Sequence, residues 1–297
     1  MTARAKREAL VGFLLTLPWI IGFLAFTAGP MLVSLFLSLT QWDVLTPPVF
    51  VGISNFHRLL HDLLFWKSLY NTFIYTMLNV PLSLAGSLSL ALILNRRVRG
   101  VTIYRTLLYL PELTPIVATS LIWAWVLNTH FGILNYLLSR LGLPTVPWLE
   151  STTWALPSIV LMSLWTIGGS RMLIFLAGLQ GIPEELNEAA ALDGASSWAR
   201  LWHIILPMLS PVIFFNLVLG VILSFQVFTP AYIVTNGGPA DSTLVYGLYL
   251  YRNAFQYFQM GYASSMAWVL LLLLLAFTWL QFRLMQRWVY YEAEARG

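Results

Sequence analysis

Cysteine is absent from the 297-residue sequence, and charged side chains are scarce, at 9% of residues. The lack of cysteine excludes disulfides, zinc–thiolate sites, iron–sulfur clusters and thiol catalysis. A soluble globular domain carries about 25% charged residues, so this chain has too little charge to cover a water-facing surface. Hydrophobic residues instead make up 59% of the sequence. The composition therefore predicts a protein whose main solvent is lipid.

Several functional motifs are also missing. The sequence has no GxxxxGK[ST] loop with which to cradle the phosphates of ATP. Its serine, histidine and acidic residues have neither the spacing of a catalytic triad nor that of a metal site, so we expect no enzymatic activity, metal or cofactor in this chain. The net charge of +4 comes without a basic stripe beside a soluble fold, which argues against nucleic-acid binding.

Six apolar stretches stand out, and a bilayer-spanning helix needs about 20 residues. They cover residues 10–39, 70–94, 107–127, 155–179, 211–233 and 263–282. Backbone polar groups must be paired in lipid, so these stretches are expected to be helices. The first is longer than the apolar region of a signal peptide, about 7–15 residues, and is interpreted as an uncleaved span. The sequence predicts an all-α membrane protein with six transmembrane helices in a single domain over 1–297.

Basic residues are unequally distributed between the two sides that these spans define. With the N-terminus inside, the inner segments hold Arg4, Lys6, Arg7, Arg96, Arg97, Arg99, Arg105, Arg200, Arg283, Arg287 and Arg296. The outer segments hold Arg58, Lys67, Arg140 and Arg252, and Arg171 lies within a span. Lys and Arg collect on the cytoplasmic side of membrane proteins. Both termini are therefore predicted to be cytoplasmic.

The segment 181–207, between the fourth and fifth stretches, has the pattern of a helix–turn–helix. Pro183, followed by two glutamates, favours a helix start. Gly194 stands where a helix end needs a positive φ, and Ser196 or Ser197 can cap a second helix. On the same orientation this segment lies at the cytoplasmic surface.

Small side chains flank one acidic residue in the first of these helices. Ala189 and Ala190 follow Glu188, and their size permits another surface to approach closely. A solvated loop needs neither an ordered helix nor such small residues. We therefore expect the segment to dock a cytosolic partner.

The same segment resembles the EAA motif of ABC importer permeases. That pattern is Glu-Ala-Ala, three residues, Gly, nine residues, Ile, one residue and Leu-Pro. The positions are filled by Glu188, Ala189, Ala190, Gly194, Ile204, Leu206 and Pro207. The resemblance implies that these residues, together with Asp193, form the coupling helix region that sits in a cleft on an ATPase subunit.

Four further stretches resemble, in order, the carbohydrate-uptake permeases of this family. They are FVGISNF at 50–56, GILN at 132–135, LAGLQGIP at 176–183 and TNGGPADST at 235–243. The resemblance is to the first permease subunit of maltose and glycerol-phosphate importers. It implies a bacterial or archaeal cell membrane, a sugar or sugar-like solute and alternating access. The implied partners are a second permease, a dimer of ATPase subunits that bind ATP and Mg, and an extracytoplasmic binding protein.

Two ionisable residues, Glu112 and Arg171, fall where lipid is expected. At about 1.5 Å per residue they lie roughly 10 Å and 13 Å from the inner ends of their stretches, so their depths allow pairing. Such residues usually face a bundle interior or a water-filled path. A structural pair, a role in the solute path, or snorkelling of Arg171 with protonation of Glu112 all remain open at this point.

Polar and aromatic residues in three stretches are candidates for contact with a sugar. Amides and hydroxyls suit sugar hydroxyls, and aromatic faces suit ring carbons. The candidates are Asn216, Ser224 and Gln226 in the fifth stretch, Trp165 in the fourth and Trp123 in the third. Packing and hydrogen bonding between helices would explain the same residues.

Three other function classes compete with an importer of sugars. An intramembrane enzyme needs convergent catalytic residues, which only Glu112 and Arg171 could supply. An ion-coupled carrier predicts inverted repeats with broken helices and gives no reason for the inner helix–turn–helix. An ABC permease for a non-sugar solute such as a polyamine or phosphate differs only in the weaker stretches.

Overall fold

The computed structural model describes residues 3–95 and 100–285. Five basic residues behind the predicted orientation lie outside these ranges, namely Arg96, Arg97, Arg99, Arg287 and Arg296. The described chain is largely helical and forms two compact units. One comprises residues 3–62 and 250–272, and the other comprises residues 63–249 and 273–285.

The first unit begins with a long apolar helix and continues into a small hairpin. Its elements are α1 (Ala3–Phe23), a π turn (Leu24–Ala28), α2 (Gly29–Ser38), the antiparallel strands β1 (Thr40–Gln41) and β2 (Val49–Phe50), and α3 (Ser54–His61). Asn55 fixes the hairpin, because its Nδ2 donates to the carbonyl oxygens of Ser38 at 2.9 Å and Thr40 at 2.8 Å. The Arg58 guanidinium lies 4.3 Å from the ring centroid of Tyr262, which belongs to the same unit.

The second unit contains most of the remaining helices. They are α4 (Leu63–Leu94), α5 (Val101–Tyr109), α6 (Ile116–Val126), α7 (Ile133–Arg140), α8 (Ala155–Ser163), α9 (Ser170–Gln180), α10 (Glu184–Leu192), α11 (Ser197–Arg200) and α12 (Leu206–Phe225). Two more, α13 (Tyr246–Tyr251) and α14 (Met260–Met285), run across the boundary between the units. Short 3₁₀ segments occupy Leu110–Leu113 and Leu164–Thr166, and π turns occupy Leu201–Ile205, Ala231–Thr235 and Arg252–Gln256.

Four apolar helices of the described chain are long enough to cross a membrane without a break. They are Leu10–Ser38, Leu63–Leu94, Ser197–Phe225 and Met260–Met285. Two further candidates are bent pairs: Val101–Leu113 with Ile116–Val126, at 94°, and Ala155–Thr166 with Ser170–Gln180, at 51°. The chain thus has a helical membrane-protein fold with four to six candidate spans.

Proline chemistry explains the sharper of the two bends. Thr114 precedes Pro115 and has an extended backbone, with ψ of 130°. The ring of a proline disfavours the α conformation in the residue before it, and proline itself has no N–H to donate. The helix therefore stops at Leu113 and starts again at Ile116, where the sequence analysis expects one continuous stretch.

The bounds predicted for the fifth stretch, 211–233, are wrong at both ends. The helix begins at Ser197, passes through the π turn Leu201–Ile205 and ends at Phe225. Pro207 lies inside this helix, as the second residue of α12 after the π turn. Hydropathy alone does not show where a helix ends, so the predicted stretch includes apolar residues that lie beyond Phe225.

Helices α4, α9 and α12 pack against one another around the buried side chains of Met172, Phe175 and Leu209. Hydroxyl groups within α4 are paired along the helix, as when Thr76 Oγ1 donates to the Thr72 carbonyl at 2.8 Å. Such bonds let polar side chains lie in an apolar environment without unmade hydrogen bonds. The packed helices α4, α9 and α12 position the residues of the functional site.

Candidate functional site

A cavity of about 550 Å³ opens inside the second unit. Residues from α4, from the bend between α5 and α6, from the bend between α8 and α9, and from α12 form its wall. Sites for small molecules commonly enclose about 300–1,000 Å³, so the cavity has the size of a small-ligand site. Both bent pairs thus place their irregular backbone at a cavity, where such backbone is tolerated within a membrane.

Five of the predicted solute-path residues line this cavity: Glu112, Arg171, Asn216, Ser224 and Gln226. The other two, Trp123 and Trp165, lie outside the lining. Their rings pack edge to face on each other, with centroids 5.9 Å apart. Packing between helices, the alternative noted for these tryptophans, describes their contact.

Helix α4 brings three further residues to the cavity, Tyr75, Asn79 and Ser83, which were not predicted to line it. Asn79 Nδ2 donates to Ser224 Oγ at 3.1 Å, and Asn79 Oδ1 is buried with no hydrogen-bond partner among the described residues. A signal for these residues exists in the sequence. Polar residues recur every fourth position along one face of α4, at Asn71, Tyr75, Asn79, Ser83 and Ser87.

Glu112 joins the two bent pairs at their breaks. Its carboxylate accepts a hydrogen bond from the Ser170 backbone N–H at 3.0 Å and another from Ser170 Oγ at 2.8 Å. Ser170 is the first residue of α9, and a carboxylate is stabilised at a helix N-terminus by the unpaired N–H groups and the helix dipole. Gly169 leaves room for this contact, because a side-chain carbon there would overlap with Glu112 Oε2.

Arg171 lies on the same cavity, as the matched depths predict, but the hydrogen bonds of Glu112 go to Ser170 instead. The half-buried Arg171 side chain extends toward α12, where its Nη2 is 3.6 Å from the position of a side-chain carbon added at Gly220. The two charges still attract each other electrostatically. The arrangement is a carboxylate held by a helix end with a guanidinium beside it.

Segment 181–207 forms the helix–turn–helix that its sequence predicts. Helix α10 ends in a Schellman motif, in which Ala195 N–H donates to the Ala190 carbonyl at 2.9 Å and Gly194 N–H donates to the Ala191 carbonyl at 3.1 Å. The predicted positive φ at Gly194 is confirmed, at 82°. Ser196 is the cap of the next helix, because its Oγ accepts from Ala199 N–H at 3.2 Å.

Residues of the EAA-like pattern lie at or near the surface of this element. Glu188, Ala189, Asp193, Gly194 and Pro207 are exposed, and Ala190, Ile204 and Leu206 are half-buried. The apolar side chain of Leu192 beside them is 89% exposed. Together these residues form a surface of mostly small side chains, beside which the apolar side chain of Leu192 is exposed.

Within residues 3–95 and 100–285, no three His, Asp or Glu side chains are grouped closely enough to hold an ion.

Comparison with known proteins places this architecture in a family. The model of the family described as "Binding-protein-dependent transport system inner membrane component" matches residues 65–290. The probable ABC transporter permease protein YesP of Bacillus subtilis (strain 168) is 45% identical over 294 residues, covering 97% of this chain and 94% of that protein. The trehalose/maltose transport system permease protein MalF of Thermococcus litoralis is 35% identical over 283 residues, covering 94% of this chain and 95% of its own length.

A solved structure also matches the fold. A chain in the crystal structure of a bacterial ABC transporter involved in the import of the acidic polysaccharide alginate superposes with a TM-score of 0.82 at 25% identity. The match covers 95% of this chain and 96% of that one. The resemblance carried by the EAA-like segment is confirmed: the chain belongs to the family of inner membrane components of binding-protein-dependent transport systems.

Proposed function

We propose that the chain is the permease subunit of an ABC importer that takes up a sugar or sugar-like solute. The observation that carries this proposal is the EAA-like pattern folded as an ordered, surface-exposed helix–turn–helix on a permease scaffold. Relatives whose names assign them trehalose and maltose or lactose support the solute class. The polar lining of the cavity, with amide and hydroxyl groups, suits the same class.

The proposed topology counts each bent pair as one span, which gives six. Both termini and the segment 181–207 then share one side of the membrane, which the distribution of basic residues identifies as the cytoplasm. In this arrangement the connection that contains Leu45 lies outside. The bent third and fourth spans bring their breaks to the cavity rather than to lipid.

Continuity of the helices supports a mechanical role for the inner segment. Helix α9 leads through residues 181–183 into α10, and the helix that begins at Ser197 continues to Phe225. Asn216 and Ser224 of that helix line the cavity. A displacement of the helix–turn–helix is therefore transmitted along two rigid elements to the cavity wall, over a distance on the order of 30 Å at 1.5 Å per residue.

The proposed cycle places ATP hydrolysis on separate subunits. Two ATPase subunits with ATP and Mg dock on segment 181–207 and on its counterpart in a second permease. Closure of the ATPases turns the cavity from inward-open to outward-open. An extracytoplasmic binding protein then releases its solute into the cavity, and hydrolysis returns the permeases to the inward-open state.

Orientation is testable with single cysteines, because the natural chain contains none. Leu192 is 89% exposed and Leu45 is 87% exposed, so both positions are accessible to reagent when they face it. An impermeant maleimide added to intact cells is expected to label Leu45→Cys, and to label Leu192→Cys only after the membrane is permeabilised. Labelling of Leu192→Cys from outside would exclude a cytoplasmic coupling segment.

A further inference from the structure

Arg171 is a charged group of the cavity wall. Its side chain starts at the second residue of α9 and crosses toward α12, next to Gly220. Among the described residues, no acceptor lies within hydrogen-bond distance of its guanidinium. An unpaired charge in a poorly solvated, membrane-embedded site is costly, so the side chain is retained there for a ligand or for water.

Glu112 does not satisfy this charge by contact. One carboxylate oxygen accepts from the Ser170 N–H and the other from the Ser170 hydroxyl. These donors, together with the N-terminal end of α9, stabilise the carboxylate where it stands. Arg171 therefore keeps its donors free on the side that faces the cavity.

Asn79 supplies a second polar group to the same wall, and one of its atoms lacks a hydrogen-bond partner among the described residues. Its Nδ2 is used by Ser224, while its Oδ1 is buried and has no partner among the described residues. A buried acceptor of this kind is satisfied by a hydroxyl donor of a ligand or by a water molecule. The cavity thus offers a cationic donor and a neutral acceptor at separate points.

We propose, on the basis of the proposed function, that the cavity is built for an acidic sugar, a hexuronic acid or an oligosaccharide that contains one. Arg171 binds the carboxylate of the sugar, and Asn79 Oδ1 accepts a hydrogen bond from one of its hydroxyl groups. The planar guanidinium matches a carboxylate with two parallel hydrogen bonds. Because the charge of Glu112 acts at the same site, it opposes a singly charged carboxylate less than a doubly charged phosphate.

Matched ligands and matched variants test this assignment. The complex is purified from native membranes through a tag on this chain, freed of its binding protein and placed in nanodiscs. Trigalacturonate is then compared with galactotriose, its carboxyl-reduced counterpart, through the ligand-dependent rise in melting temperature. Trigalacturonate is expected to bind about tenfold or more tightly than galactotriose, since a charge-assisted hydrogen bond contributes about 1.5–3 kcal/mol.

Variants of two arginines test whether Arg171 is the residue that causes the preference for trigalacturonate. Arg171→Gln is expected to lose about tenfold or more of the affinity for trigalacturonate and with it most of the preference over galactotriose. Arg171→Lys is expected to retain part of the preference, because the charge remains. Arg140→Gln is the control: Arg140 lies outside the cavity lining, with its Nε donating to Tyr136 Oη at 3.1 Å, and its loss is expected to change neither affinity.

Several results would overturn the assignment. They are equal binding of galactotriose and trigalacturonate, unchanged affinity in Arg171→Gln, equal binding of a sugar phosphate, or no binding of either oligosaccharide. The same preparation separates this failure from failure of the importer assignment. If ATPase subunits co-purify with the chain while the uronate is not preferred, only the acidic-sugar assignment is lost.

Discussion

Gly169→Ala is expected to abolish solute transport and to lower the melting temperature of the protein. The added carbon would occupy the space of Glu112 Oε2, so the carboxylate must leave the start of α9. Both hydrogen bonds to Ser170 are then lost. Hydrogen bonds to charged groups are worth about 1.5–3 kcal/mol each, and the Glu112 carboxylate loses both of its donors. The joint between the two bent pairs, which shapes the cavity, is therefore broken.

Two comparisons distinguish this specific effect from a general cost of replacing glycine. Gly22→Ala in α1 adds the same methyl group where nothing lies within 4 Å, and it is expected to behave like the natural protein. Glu112→Ala removes the overlapping oxygen, so combining it with Gly169→Ala is expected to cost less than the two single changes summed. Melting temperature and uptake in Gly169→Ala equal to those of the natural protein would show that Glu112 does not hold the bends together.

Gly194→Val is expected to uncouple the chain from its ATPase while leaving it inserted in the membrane. Gly194 has a φ of 82°, a conformation that costs a side-chain-bearing residue roughly 1–2 kcal/mol. Valine, being branched at Cβ, adapts to it poorly. The Schellman motif at the end of α10 then opens, and Glu188, Ala189 and Ala190 lose their fixed position. Co-purification of the ATPase, and its hydrolysis rate with binding protein and solute, measure the outcome.

Gly142→Val provides a closely matched control for this variant. Gly142 has a φ of 72° and closes α7 with the same motif, in which Leu143 N–H donates to the Leu138 carbonyl at 2.9 Å and Gly142 N–H donates to the Ser139 carbonyl at 3.1 Å. The backbone strain is therefore the same, but the turn lies in a predicted outer connection. Gly142→Val is expected to retain the ATPase and its stimulation. Equal loss in both variants would mean that strain alone, and not the position of Gly194, causes the defect.

Local features of segment 181–207 were predictable because their causes lie within a few residues. The positive φ at Gly194 and the cap at Ser196 follow from the requirements of helix ends, and the structure shows both. The continuation of the second helix through Pro207 was not predicted. The π turn Leu201–Ile205 lies just before Pro207, and no residue pattern in the segment predicts it.

Contacts across the cavity were less accessible to the sequence. Matched depths brought Glu112 and Arg171 to the same site, yet the acceptor role of Glu112 toward Ser170 depends on two helix bends and on the space beside Gly169. Asn79 was not predicted, although it belongs to a polar face of α4 that is visible in the sequence.

Accumulation of solute driven by ATP tests the central claim most directly. The complex isolated through this chain is reconstituted into proteoliposomes with ATP enclosed at the ATPase side and with its binding protein and labelled solute outside. Labelled solute is expected to accumulate with ATP and to stay at the background level with a non-hydrolysable analogue or with the Gly194→Val chain. Accumulation that proceeds without ATP and follows an imposed ion gradient would contradict the account and identify an ion-coupled carrier.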